Sequence, residues 1–224
     1  MQPLATVLCT SGLAVEAKIA RAAGFPVVVG AGDPDRTAQL LSAAATRTDC
    51  LVSFGIAGGL APELKAGTVI VSGEVVTERC RWAVAPSYRP QVARFAHSIG
   101  AIEGSVFGTG SILATKAEKK RAWAMTRSLA VDLESEIVAR TATALGLPFV
   151  VLRAIADTAH RDLPPASLVP LRADGKPYIS KIFTSVLRRP FQLPEIIGLA
   201  RETKIALSAL TGPARALRGL VGSA

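Results

Sequence analysis

Four acidic side chains in this chain are placed to do chemistry. Asp157 closes the segment Arg153-Ala154-Ile155-Ala156-Asp157, after the apolar run Phe149-Val150-Val151-Leu152. Asp132 and Glu134 lie in Val131-Asp132-Leu133-Glu134-Ser135, at a strand end that enters a helix, and Glu16 follows the first apolar segment. A glycine-rich segment, Phe54-Gly55-Ile56-Ala57-Gly58-Gly59, follows Cys50-Leu51-Val52-Ser53 and reads as a turn. An open α/β sheet binds its ligand beyond the carboxyl ends of its strands, which is where these segments fall. Carboxyl groups accept hydrogen bonds from hydroxyls and amines, and glycine lets backbone approach a ligand closely. Together they suit a polyhydroxylated, nitrogenous ligand such as a nucleoside.

Each residue also has a simpler local reading. Glu134 could serve only as an acid at a helix amino terminus. Asp157 could form an Asx-turn, and the glycines could form a tight strand-to-helix turn. Coincidence at one sheet edge, without metal-ligating neighbours, favours recognition of a sugar and a base. Gly30-Ala31-Gly32 half-matches a dinucleotide fingerprint, but Asp33 and Asp35 would repel a pyrophosphate. Asp33 as a helix N-cap, with Pro34 at the first helical position, is the better reading.

The elements that must hold these residues alternate. Strands are predicted at Leu4–Cys9, Pro26–Val29, Leu51–Phe54, Val69–Val76, Trp82–Val84, Val106–Gly108, Ala130–Leu133 and Pro148–Ile155. Helices are predicted at Ala14–Ala23, Asp35–Ala45, Pro90–Ile99, Lys116–Met125 and Glu134–Leu145. This order predicts an α/β three-layer sandwich with a mixed, mostly parallel central sheet covered on both faces. Past position 155 only helices are expected, at Lys181–Leu187 and from Leu193 to about Leu210, with a frayed end over Pro213–Ala224.

The length of 224 residues fits one domain, 1–224, ending in a basic helical segment over about 172–224. From Arg172 onward nine Lys or Arg face three acids, which is two thirds of the net charge of +9. The aromatics there do not interleave with the basic residues, so nucleic acid is not expected as a partner. Ile179, Ile182, Phe183, Val186 and Leu187 recur at helical spacing before Arg188 and Arg189. That pattern fits either a face packed on the sheet or an interfacial helix at an anionic membrane. No apolar stretch reaches the ~20 residues of a membrane span, and no signal peptide is apparent. Three cysteines without paired spacing read as free buried thiols of a cytoplasmic protein. Two histidines make no metal site, and no cofactor is expected.

The three motifs in this order resemble the nucleoside phosphorylase and methylthioadenosine/adenosylhomocysteine nucleosidase superfamily, over roughly residues 4–160. The glycine-rich segment through Leu60, with Pro62 and Lys65-Ala66-Gly67-Thr68-Val69-Ile70-Val71, is similar to the family's. Val131–Glu134 resembles its ribose-binding segment, and Arg153–Asp157 its late-strand motif. Ser11–Ala17, Ala130–Ser135 and Leu187–Pro194 most resemble the hopanoid-associated phosphorylase of that superfamily, which is thought to release adenine from adenosylhopane.

The resemblance implies roles for particular residues. Asp157 is the general acid at purine N7, and Glu16 is the amino-terminal catalytic acid. Glu134 accepts the ribose 2′- and 3′-hydroxyls, with Leu133 beneath the sugar and Ile112 near the base. Asp132, Ile56, Gly58 and Gly59 complete the substrate-binding set. It also implies a homo-oligomer, dimer favoured, with a peripheral inner-membrane location as one reading. Phosphate is the implied co-substrate, yet the family's phosphate-gripping Arg and Ser or Thr positions read Ser53 and Ile56 here. Arg36, Arg81 or a second subunit would have to substitute. The alternatives are a hydrolytic nucleosidase and a non-catalytic nucleoside-binding module.

Overall fold

The structure is a computed structural model, and it describes residues 6–218. In chain order the elements are β1 (Val7–Ser11), α1 (Ala14–Ala22), β2 (Val27–Val29), α2 (Pro34–Ala44), β3 (Cys50–Gly59), β4 (Val69–Ser72), β5 (Glu74–Val76), β6 (Arg81–Ala83), α3 (Arg89–Ser98), β7 (Ile102–Glu103), β8 (Val106–Gly108), α4 (Lys116–Thr126), β9 (Ala130–Asp132), α5 (Ser135–Leu145), β10 (Phe149–Asp157), α6 (Ile179–Arg188), α7 (Leu193–Ala209) and α8 (Thr211–Ala216).

Two long strands organise the sheet. β3 and β10 run parallel, from Leu51 opposite Phe149 to Gly58 opposite Asp157, with an irregularity between Ile155 and Asp157. The first half of β3 pairs with β1, in parallel, and β1 with β2. Its last glycines pair antiparallel with β9, Gly58 opposite Val131 and Gly59 opposite Ala130. From β9 the sheet continues through β8 and β5 to β6. On the other side of β10 lie β4, antiparallel, and β7. The outcome is the expected α/β architecture, a mixed, mostly parallel, curled sheet flanked by helices.

Four expectations need correction. Residues 55–59 are not a turn: they extend β3 to ten residues. Glycine normally punctuates a chain, but here it allows close approach of neighbouring groups inside a central strand. The expected strand Val69–Val76 breaks at Gly73 into β4 and β5. A Cβ at Gly73 would lie 2.8 Å from Val84 Cγ2. The end of the chain is not frayed from Pro213, because α8 packs on α1 with Ala214 and Leu217 buried. Residues 219–224 and Leu4 lie outside the described residues. Of the three thiols, Cys9 and Cys50 are buried but Cys80 is exposed.

The core follows from composition. Every residue of β10 is buried, and Phe54, Leu51, Leu152 and Ile155 are sealed between the sheet and its helices. Each such side chain contributes about 1.5–3 kcal/mol by leaving water. α5 turns Ile137, Val138, Ala139 and Ala142 inward. Asp33 caps α2, its Oδ1 accepting from Arg36 N at 3.0 Å, and Pro34 opens the helix, as read from the sequence. Thr115 and Glu118 form a reciprocal capping box on α4.

Candidate active site

β10 carries one cation among apolar residues, ahead of the Asp157 that ends the strand. Arg153 is fully buried, and its guanidinium holds the mouth of the sheet together. Its Nη2 donates to Ser53 Oγ (2.6 Å) and Glu134 Oε2 (3.3 Å), and Nη1 donates to the Ile56 carbonyl (3.3 Å). Nε lies 2.7 Å from Asp132 Oδ2, out of line for a hydrogen bond, so that contact is chiefly ionic. In the sequence Arg153 stands as a lone Arg in Phe149–Asp157, a signal that does not by itself say what it holds.

Three carboxylates surround this guanidinium. Glu16, in the first turn of α1, accepts from Leu13 N and Ile56 N, both at 2.8 Å. It is 2 % exposed, and burial pushes its pKa up against the opposing pull of Arg153. Gly55 makes room for this pair. A Cβ there would sit 2.4 Å from Glu16 Oε1 and 2.7 Å from Arg153 Nη1. Close approach, rather than a tight turn, is therefore what Gly55 provides.

Glu134 is nearly buried, and Gly12 faces it. A Cβ on Gly12 would lie 2.3 Å from Glu134 Oε1. Burial pushes the Glu134 pKa up to about 7; Arg153 opposes the rise, while Asp132 and Glu16 add to it. A buried carboxyl poised near neutrality is common at functional sites.

Asp132 is not free to bind substrate as expected. Its Oδ1 accepts from Glu134 N (3.0 Å) and Ser135 N (2.7 Å), capping α5. Its Oδ2 takes the Ser135 hydroxyl and the Arg153 contact. Both oxygens are occupied, so Asp132 positions Glu134 and Arg153. Ile56 likewise serves through its backbone, with its N–H on Glu16 and its carbonyl on Arg153. The space on the Cβ side of Gly58 and Gly59 is filled by Val131, Ile155 and Asp157, so these glycines admit the β10 and β9 neighbours. Leu133 is half-buried between β9 and α5, and Ile112 is 44 % exposed on the loop before α4.

A second charge group lies at the end of β10. Asp157, opposite Gly58, is ion-paired with Lys119 of α4, which is fully buried. Burial raises the Asp157 pKa, and Lys119 opposes the rise. Lys119 was not legible in the sequence, because it sits in the run Lys116–Arg121 and reads as a solvated face. Asp157 follows Arg153 by four residues, roughly 13 Å along a strand, a span suited to a sugar at one group and a base at the other. Arg36 and Arg81 do not reach this mouth: Arg36 donates to the Ala173 carbonyl (2.7 Å), and Arg81 pairs with Glu74 (2.6 Å).

Known proteins share sequence or fold with this chain. Two 5′-methylthioadenosine/S-adenosylhomocysteine nucleosidases are each 28 % identical to the chain. The match to the Chromohalobacter salexigens protein spans 147 residues, 56 % of this chain and 62 % of the relative. The match to the Pseudoalteromonas translucida protein spans 141 residues, 52 % and 58 %. The chain thus covers under two thirds of the length of these relatives. Among solved structures, the Helicobacter pylori nucleosidase superposes with a TM-score of 0.68 at 14 % identity, over 98 % of this chain and 99 % of that one. The Neisseria meningitidis nucleosidase superposes with a TM-score of 0.66 at 18 % identity, over 97 % and 99 %. The family model described as the phosphorylase superfamily matches residues 24–173, the stretch that carries β3, β9 and β10, and the chain belongs to that superfamily.

Proposed function

We propose that this protein hydrolyses the N-glycosidic bond of an adenine nucleoside. The observation that carries this reading is the charge balance at the sheet mouth: one guanidinium against Glu16, Asp132 and Glu134. Ribose hydroxyls donate to such a site. A phosphate dianion is repelled by it, because Arg153 is already engaged by acids and Lys119 by Asp157. Water is therefore the better nucleophile, and the relatives named as nucleosidases support the same choice.

In this mechanism Glu134 accepts the ribose hydroxyls and orients the sugar. The C1′–N9 bond breaks with its electron pair moving onto the purine, through an oxocarbenium-like state. Asp157 passes its proton to N7 as that charge develops. Water adds its oxygen to C1′ and gives a proton to Glu16, whose burial favours proton uptake. Product analysis tests the reading. Adenine release from 5′-methylthioadenosine should yield free sugar at a rate independent of phosphate. Ribosyl 1-phosphate as product would overturn it.

A second, finer reading has its own observation. α6 buries none of its side chains. Ile179, Phe183 and Leu187 are 58, 65 and 80 % exposed, Phe191 beyond the helix is 79 % exposed, and Lys181, Arg188 and Arg189 flank them. Of the apolar set, only Ile182 and Val186 are half-buried, so the alternative of a face packed on the sheet has less support than the interfacial one. The segment before α6 lies against the start of α1: the Gly175 carbonyl accepts from Ala14 N at 3.1 Å, and a Cβ on Gly175 would lie 3.1 Å from the Gly12 carbonyl, on the glycine that faces Glu134. An interfacial helix beside the site suits a nucleoside whose 5′ substituent is a lipid, such as adenosylhopane, the substrate class of the hopanoid-associated member. Among the described residues no helix is long and apolar enough to cross a membrane. Wild type should co-sediment with anionic vesicles, and Arg188→Glu/Arg189→Glu should not. Equal pelleting of both, or a dimer that buries this face in solution, would set the lipid reading aside.

A further inference from the structure

Lys119 is fully buried. Lysine is almost never fully buried unless paired, and this one has all three ammonium protons assigned. One goes to Asp157 Oδ2, one to the Thr158 carbonyl (3.0 Å) and one to the Arg161 carbonyl (3.0 Å). The two carbonyls belong to the loop that follows Asp157, so they hold Nζ against Oδ2. That loop is in turn fastened to α4: Leu163 N donates to the Ala114 carbonyl (2.7 Å), and Lys116 N donates to Asp162 Oδ1 (2.7 Å). With Oδ2 occupied, Oδ1 is the oxygen left to meet a purine.

We infer that Lys119 is a positioning residue for the leaving-group proton, which orients the Asp157 carboxyl and stabilises the carboxylate that remains once N7 has taken its proton. The inference rests on the general-acid reading of Asp157. Burial alone would make Asp157 a weak acid that holds its proton, whereas an ammonium in contact favours the ionised product of the transfer. The other charges facing this carboxyl are already paired. Arg161 and Glu202 of α7 form a two-bond pair (2.8 and 2.6 Å) and act on Asp157 in opposite directions. Asp162 pairs with Lys116 at 3.3 Å, near the surface. Lys119 is therefore the cation whose removal changes the acid most. No atoms are exchanged with Lys119: the proton moves from Asp157 to N7, and the electron pair of the broken O–H bond stays on the carboxylate, against the ammonium.

The test is the pH profile of kcat for purine release by the full chain, in Lys119→Met, Lys119→Gln and Lys119→Arg. Each is checked for native circular dichroism, and Lys119→Gln is read wherever Lys119→Met fails to fold. Loss of the cation should move the alkaline limb upward by about 1–3 pH units, the size of an opposite-charge contact. It should also lower the plateau by more than tenfold on adenine nucleosides, and far less on a nitrophenyl riboside, whose leaving group needs no proton. Lys119→Arg should restore the position of the limb. An unmoved limb, with equal losses on both substrates, would reduce Lys119 to a structural contact. Asp157→Asn that retains purine release would instead overturn the general-acid reading itself, and the two failures are read separately.

Discussion

The sheet mouth and helix α6 invert the usual partition of side chains in opposite ways. At the mouth, Glu16, Glu134, Arg153, Asp157 and Lys119 are ionisable and buried. On α6, Ile179, Phe183 and Leu187 are apolar and exposed. Both arrangements are unfavourable by themselves, since buried charges need partners and exposed apolar clusters seek cover. The mouth supplies its own partners: each cation faces acids, and each acid a cation or backbone N–H. α6 does not. It is tethered through Gln192, whose Nε2 donates to the Ser185 carbonyl (2.8 Å) and whose Oε1 accepts from Ala166 N (3.1 Å). An internally compensated region should be sensitive to every substitution. An uncompensated one should tolerate substitution in isolation and respond only when a surface is offered.

The largest effect is expected from Arg153→Leu. It leaves Asp132, Glu134 and Glu16 around an apolar side chain, and removing one partner of a buried ion pair costs about 3–5 kcal/mol. Chemical denaturation should show that loss, and unchanged stability would mean that the mouth is not held by this guanidinium. Next is Asp157→Asn, which keeps shape but carries no acid proton. It should lower kcat by about 10²–10⁴-fold while binding of a nucleoside analogue stays within about tenfold; a kcat above a tenth of wild type would remove the general-acid role.

A smaller effect is expected from Glu134 and pH. Its folded pKa of about 7 lies above its ordinary value of 4.5, so the fold binds this proton more tightly than the unfolded chain does. The corresponding stability is present in full below about pH 4.5 and is lost as pH rises through about 7. Glu134→Gln should flatten that part of the stability profile. In wild type, KM for a ribosyl substrate should fall as pH rises through the same range, because the ionised carboxylate is the stronger acceptor. A stability profile identical in both proteins would place the titration elsewhere.

The smallest effect belongs to the other region. Phe183→Ser on α6 should change stability by no more than about 0.5 kcal/mol, the range of ordinary surface positions. It should nevertheless weaken co-sedimentation with anionic vesicles. A large loss of stability would show that α6 is covered in solution and would close the contrast between the two regions.

Local rules carried much of the fold. Val106–Gly108 is a strand over the residues expected, Asp33 caps α2, and the alternation of strands and helices leads to the mixed sheet. These are effects of short-range sterics, capping and apolar periodicity, which neighbouring residues determine. The positions of Glu16, Glu134 and Asp157 near strand ends were legible for the same reason. What residues 55–59 do was not, because glycine has the same local preference whether it turns the chain or lets a neighbour approach.

The sequence by itself determined the acids, their order and the strands that carry them. Only the tertiary structure decided how they work. Arg153 meets three acids from two other segments, Lys119 reaches Asp157 from 38 residues away, and Gly12 and Gly55 leave room for carboxylates of distant elements. Tertiary packing also left Ile179, Phe183 and Leu187 of α6 exposed, though their spacing equally suited a buried face. Charge pairing and burial depend on which residues are brought together through space. Periodicity and spacing along the chain do not record that, so the protonation of the site and the exposure of α6 follow from the fold.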